Sequence, residues 1–257
     1  MYGSFSNDYD RFVNWTERLA YEMPFIEEQI KLLQGTAGDS LDVLDTACGT
    51  GMHAITLALR GHRVSAADLF PQMVEIGVGN ARKAGAEVRF NAAGLGDMSA
   101  TFGKERFDLL LCLGNSLPHL TNDSELNQAL EDFAAVLRPG GLVFIQNRNF
   151  DLVMRHQQRW MEPQVYREGD HEWIFQRFYD FLPGGLIRFN IVTLKREKDS
   201  GWQTNVSSTL LRPQLHGELE HALTRAGFTD IRAYGSMQGE AFSSETSGNL
   251  ILTARKP

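Results

Sequence analysis

Apolar and polar positions along the chain follow two alternating periods. Short apolar runs at 41–46, 63–67, 86–91, 107–113 and 141–147 read as buried strands. Between them, apolar residues recur at helical spacing near 51–60, 70–84 and 122–137. This alternation predicts an α/β fold, a parallel sheet covered by helices on both faces. Ahead of it, Phe12, Trp15 and Leu19, then Phe25, Ile26, Ile30 and Leu33, mark helical faces, and Pro24 is expected to divide them into two helices.

After Asp151 the pattern changes. Segments 172–181, 186–197 and 202–212 are rich in Phe, Ile, Val, Thr and Trp. Turn signals at Pro183-Gly184-Gly185 and Asp199-Ser200-Gly201 join them, so an antiparallel meander is expected. A helix over 214–226 and strands over 228–235 and 249–254 complete the reading. One domain is expected, in four stretches: a helical cap (1–40), a core (41–150), the inserted meander (151–213) and a closing helix with two strands (214–257).

At 257 residues with 42% hydrophobic content, the chain is long enough to bury a full core. Its formal charge is −7, and its Lys and Arg form no basic stripe. A nucleic-acid partner is therefore disfavoured, because neutralising phosphates supplies most of such affinity. Cys48 and Cys112 each end an expected strand, with no C-x-x-C pair, so neither a metal site nor a disulfide framework is expected. The polar stretch Met1 to Asp10 carries no signal-peptide pattern. No apolar run approaches the roughly 20 residues of a membrane span. A cytoplasmic protein is the expectation.

The segment Asp45-Thr46-Ala47-Cys48-Gly49-Thr50-Gly51 carries the chemistry. It follows an apolar run and opens a helix, the arrangement that places a nucleotide-type ligand at the carboxyl edge of a parallel sheet. Asp68 ends the next strand, about twenty residues on, where a carboxylate accepts both hydroxyls of an adenosine ribose. Gly49, Gly51 and Ala54 fit a loose dinucleotide pattern, so NAD is one candidate. Asp45 weighs against it, since a carboxylate before the glycines repels a pyrophosphate. It favours S-adenosylmethionine, whose sulfonium and amino group are cationic. A helix start with no ligand is the plain alternative.

The surrounding blocks resemble class I S-adenosylmethionine-dependent methyltransferases, in particular the glycine/sarcosine N-methyltransferase branch. They are the glycine segment itself, Ala67-Asp68-Leu69-Phe70-Pro71-Gln72-Met73, Gly96-Asp97-Met98, Cys112 to Leu120, Leu137-Arg138-Pro139-Gly140-Gly141, and Arg148-Asn149-Phe150-Asp151. They stand in the family's order over 41–151. The resemblance implies a Rossmann-like methyltransferase sheet closed by an antiparallel strand pair, with the meander as a lid over its carboxyl edge. It implies methyl transfer to the amine of a small molecule, glycine or sarcosine favoured. An amino sugar or another metabolite is the alternative acceptor, and a non-catalytic binding module is a more distant one.

For the cofactor, Ala47 and Gly49 are expected to meet the methionyl part through their backbone, and Asp68 the ribose. Asp97 is expected at the adenine amino group, flanked by Leu69, Met98 and Leu113; Asp97 as a helix cap, and Leu69 and Leu113 as core residues, are the alternatives. Tyr9, Trp15 and Arg18 resemble positions that close over the cofactor, Arg18 pairing with its carboxylate. In glycine-type enzymes the arginine matching Arg148 anchors the acceptor's carboxylate, for which a planar fork is suited; pairing with Asp151 is its structural alternative. Asn115 and Ser116 follow the fourth strand, where they could meet the sulfonium or the incoming amine, or cap the turn. His119 is the candidate for deprotonating an ammonium. One departure stands out. The branch carries a tyrosine-rich strand before its last helix, whereas this chain has Thr209-Leu210-Leu211-Arg212-Pro213.

Overall fold

The computed structural model describes residues 8–37, 40–198 and 200–257. The expectations for residues 1–7 and 38–39, and for Asp199 of the second turn signal, lie outside them. Strands β1 (Asp42–Thr46), β2 (Arg63–Asp68), β3 (Val88–Ala92), β4 (Phe107–Cys112) and β5 (Leu137–Arg148) form the parallel part of the main sheet. Helices α1 (Trp15–Ala37), α2 (Met52–Leu59), α3 (Pro71–Ala84) and α5 (Asp123–Val136) cover it, with a short α4 (Met98–Phe102) between β3 and β4.

Four antiparallel strands follow a short helix, α6 (Phe150–His156): β6 (Gln164–Glu168), β7 (His171–Phe181), β8 (Ile187–Glu197) and β9 (Gln203–Leu211). Helix α7 (His216–Arg225) leads into β10 (Thr229–Tyr234) and β11 (Asn249–Arg255). The seven-stranded sheet runs β10-β11-β5-β4-β1-β2-β3, with β11 antiparallel to both neighbours. The expected α/β fold with its antiparallel close is therefore present. Strand β6 and helices α4 and α6 were not foreseen; each is short, and β6 alternates weakly between apolar and polar residues.

Pro24 does not divide the N-terminal helix. It sits inside α1, on its exposed side. A proline there removes one helical hydrogen bond and costs about 3 kcal/mol. Met23, Phe25, Ile26, Ile30 and Leu33 offset that cost by burial against β1 and β4. The chain breaks earlier, at Val13 and Asn14, between a helical turn over 8–12 and α1.

The main core occupies both faces of the seven-stranded sheet. The second sheet packs its inner face on the remaining elements. Phe175 stands edge-on to Phe12 at 5.5 Å, the Arg11 guanidinium lies over Trp173 at 4.7 Å, and Tyr179 packs on Phe150 at 6.3 Å. The second sheet is thereby held beside the carboxyl edge of the first. No helix among the described residues is long and apolar enough to cross a membrane.

Candidate active site

A cavity of about 510 Å³ opens at the carboxyl ends of β1, β2 and β4. Open α/β sheets bind ligands at this edge. A shallower depression of about 800 Å³ lies at the opposite edge, beside Gly61, His62 and Arg63 ahead of β2, away from the glycine segment.

The turn after β1 shapes the cavity floor. Ala47, Gly49 and Gly51 all have positive φ, at 54°, 57° and 80°. At Gly49 a side chain would be strained by the positive φ, and its Cβ would stand in contact with the Tyr9 ring at 3.4 Å. Asp68 holds this turn: its Oδ2 accepts from the Gly49 amide at 2.9 Å and its Oδ1 from the Phe70 amide at 2.9 Å. The residue is buried at 8% exposure, not an exposed strand-end acid without structural weight. Burial pushes its pKa up, against the two amides that lower it. Each carboxylate oxygen has a second lone pair, so Asp68 can still receive hydroxyls from the cavity.

Asp45 is the sharpest electrostatic feature. It lines the cavity at 2% exposure, and its Oδ2 is buried with no hydrogen-bond partner. Burial pushes its pKa up to about 7; Arg18 pulls it down and Asp68 raises it further. A buried carboxylate with one oxygen unpartnered, beside a second acid, suits a cationic group and disfavours a pyrophosphate. The residues present thus fit S-adenosylmethionine: Asp45 for its cationic half, Arg18 for its carboxylate and Asp68 for its ribose.

Arg18 reaches the cavity from α1. Its Nε donates to Glu22 Oε2 at 3.1 Å, and its guanidinium stacks on Trp15 at 5.2 Å. Tyr9 stands 6.2 Å from Trp15, and burial pushes its hydroxyl pKa up. Tyr9, Trp15, Arg18, Ala47, Gly49, Asp68, Leu69, Leu113 and His119 all line the cavity. Leu69 is 64% exposed there, a free apolar surface, whereas Leu113 is buried at 4%.

Four expected residues do not line it. Met98, the first residue of α4, has its side chain fully buried in the core and its amide donating to Asp132, away from the cavity lining. Asp97 stands exposed at the border: a Cβ on cavity-lining Gly94 would meet Asp97 Oδ2 at 3.2 Å. It does not cap α4 through its side chain; Asp132 accepts from Met98 and Ser99 instead. Asn115 has φ 67°, and its Oδ1 accepts from the Arg148 amide at 3.0 Å. Arg148 lies behind this turn, with its guanidinium 6.0 Å from the Tyr179 ring. Asp151 is not its partner, because Asp151 Oδ2 accepts from the His216 amide.

His119 is on the wall, but burial pushes its pKa down to about 4. Its ring is neutral at pH 7 and too weakly basic to hold a proton taken from an alkylammonium. Ser116 caps its own turn, donating to the Leu113 carbonyl at 2.8 Å.

Sequence reasoning passed over Glu22, His53, Glu125 and Tyr179. Glu22 follows Arg18 at helical i,i+4 spacing, a readable signal. His53 sits in the first turn of α2 and lines the cavity, as does Glu125. Tyr179 is known only through the strand pairing that sets it in one row with Phe189 and Thr209.

Comparisons with known proteins agree with this site. The methyltransferase domain family matches residues 43–141. A glycine/sarcosine N-methyltransferase from Parasynechococcus marenigrum is 28% identical, over 91% of this chain and 77% of the relative. Among solved structures, an S-adenosylmethionine-dependent methyltransferase from Clostridium acetobutylicum has a TM-score of 0.75 at 16% identity, covering 99% of this chain and 98% of that one. An amino pentose methyltransferase from Micromonospora echinaspora, solved with S-adenosylmethionine bound, has a TM-score of 0.71 at 19% identity, covering 99% and 97%. With the glycine turn, the acidic floor and the strand order, these likenesses support an S-adenosylmethionine-dependent methyltransferase, whose domain family matches residues 43–141 of the chain.

Proposed function

We propose that the chain methylates the amine of a small molecule that also carries a carboxylate, with glycine and sarcosine the favoured acceptors. One observation carries this reading. Arg148 stands at the carboxyl end of β5 with its Nε buried and without a hydrogen-bond partner, and no carboxylate among the described residues forms an ion pair with it. A half-buried guanidinium with its Nε desolvated and no counter-ion carries a cost that a ligand's anion would relieve. The similarity to a glycine/sarcosine N-methyltransferase over 91% of the chain supports the same class.

S-adenosylmethionine supplies an electrophilic methyl group, so the protein has to position an uncharged amine and exclude water. Asn115 and the turn it anchors would orient the amine, Arg148 the carboxylate, with solvent taking up the proton. The second sheet serves as a lid, Thr209 closing the cavity from β9.

A second reading, an amino sugar or similar hydroxylated amine, has one observation in its favour. The outer wall carries Ser116, His119, Glu125 and Thr209 and no cation. The test measures Arg148→Ala and Arg148→Lys against a carboxylated amine and its uncharged amide. Losing one partner of a desolvated charge pair costs about 2–5 kcal/mol, so kcat/KM for the carboxylated amine should fall roughly 30- to several-thousand-fold. Arg148→Lys should rescue poorly, because an ammonium lacks the planar fork. Equal losses on both acceptors would transfer support to the amino-sugar reading.

A further inference from the structure

Glu22 lies on α1 at 5% exposure, behind the cavity wall. Its Oε2 accepts from Arg18 Nε at 3.1 Å and stands 2.7 Å from His53 Nε2; its Oε1 accepts from Gln146 Nε2 at 3.0 Å. Burial opposes its charge, but the bonds from His53, Arg18 and Gln146 prevail and hold its pKa at about 2. Burial likewise pushes the His53 pKa down, so the ring is neutral at pH 7 and donates its Nε2 proton to the carboxylate.

From Glu22 the bonding continues to the turn after β4, where Gly114 lines the cavity beside Arg18. Gln146 Oε1 accepts from the Gly114 amide at 3.0 Å, and the Gln146 carbonyl accepts from the Asn115 amide at 3.0 Å. Asn115 Oδ1 in turn accepts from the Arg148 amide. One unbroken path therefore joins Arg18 to Arg148 through Glu22, Gln146 and the Gly114–Asn115 turn. Neither Glu22 nor Gln146 lines the cavity. A buried carboxylate with three side-chain donors has no freedom to move independently of them.

We propose that Glu22 is the positioning residue of the site: it aims Arg18 at the cofactor's carboxylate and, through Gln146, sets the turn on which the acceptor is presented. This rests on the cofactor placement above, but not on the identity of the acceptor. Coupling of this kind runs through contiguous bonded groups and is tested by perturbing one end and reading the other.

The test uses two variants, S-adenosylhomocysteine as the calorimetric probe, and amide exchange at Gly114 and Asn115 as a second readout. Glu22→Gln keeps the size and removes the charge. It should weaken S-adenosylhomocysteine roughly tenfold or more, the scale of a lost charge-assisted hydrogen bond. It should also speed exchange at Gly114 and Asn115 about tenfold or more, with the amides inside β4 unchanged. A structural role confined to docking α1 would leave Gly114 and Asn115 at wild-type rates, and that result overturns the proposal.

Gln146→Leu cuts the path between Glu22 and the Gly114–Asn115 turn without removing the Arg18–Glu22 bond, and keeps the test valid if Glu22→Gln does not fold. It should weaken S-adenosylhomocysteine by roughly threefold or more, within the coupling range of contacting residues. An unchanged Kd in that variant also overturns the proposal. Both readouts are independent of the acceptor. If no carboxylated amine is a substrate, the acceptor reading fails while the Glu22 result stands.

Discussion

At the cofactor end of the cavity, Asp68 and Gly49 meet across neighbouring strand ends, and one short turn with three positive φ values sets the geometry. At the proposed acceptor end, Thr209 lines the cavity while Arg148 and Tyr179 stand behind its wall, and the three come from three separate strands in two sheets. The first end is fixed by backbone, with side chains serving it. The second is fixed by packing of one sheet on another. Backbone-made sites tolerate little change, whereas packed ones can be refitted to a new ligand by exchanging side chains.

The largest effect should follow from putting a side chain where the backbone must be bare. Gly49→Val meets the Tyr9 ring and a φ of 57°, so a folded variant should lose S-adenosylmethionine binding beyond calorimetric detection. Normal binding would break the claim that the turn is the cofactor's seat. Next comes Asp68→Ala, which removes charge-assisted bonds of about 1.5–3 kcal/mol and should weaken the cofactor roughly 10- to 150-fold. Because Asp68 also holds the Gly49 and Phe70 amides, its Tm should fall too, unlike that of Arg148→Ala, whose effect should be confined to acceptor kinetics.

Asp45 gives the cofactor end a pH signature. In the free protein it titrates near 7, and a cationic ligand favours its ionised form. Cofactor affinity should therefore rise with pH, by up to about tenfold per unit below 7, and level off above it. Asp45→Asn should flatten that profile. The stability effect has the opposite sense. A folded-state pKa raised above the unfolded value means that the native state holds an extra proton between about 4 and 7. That contribution is complete below the unfolded value and is lost as pH rises through about 7. Thermal melts of wild type and Asp45→Asn across that window check the slope. The smallest effect belongs to Leu69, exposed on the cavity wall: Leu69→Ala should cost about 1 kcal/mol of ligand burial, roughly fivefold in Kd, with no change in Tm.

The same asymmetry governed what the sequence could reveal. Strand β1, the glycine turn and Asp68 were legible because spacing along the chain is their spacing in space. Strands β7, β8 and β9 were legible as elements from apolar runs and turn residues. Their row of Tyr179, Phe189 and Thr209 was not, because register is set by pairing between distant segments. The inward turn of Met98 was not legible, because it is set by its helix starting against the distant Asp132. Pro24 was overread as a boundary, because burial of its neighbours outweighs its local cost. The low basicity of His119 came from burial, which a single sequence does not display.

The most direct measurement is a crystal structure with S-adenosylhomocysteine and a carboxylated amine soaked together. The ribose should lie on Asp68, the cofactor's carboxylate at Arg18, and the acceptor's carboxylate on Arg148, with its nitrogen beside the Gly114–Asn115 turn. An acceptor bound instead at Ser116, Glu125 and Thr209, with Arg148 untouched, would contradict the proposed assignment of the cofactor to Asp68 and of the acceptor's carboxylate to Arg148.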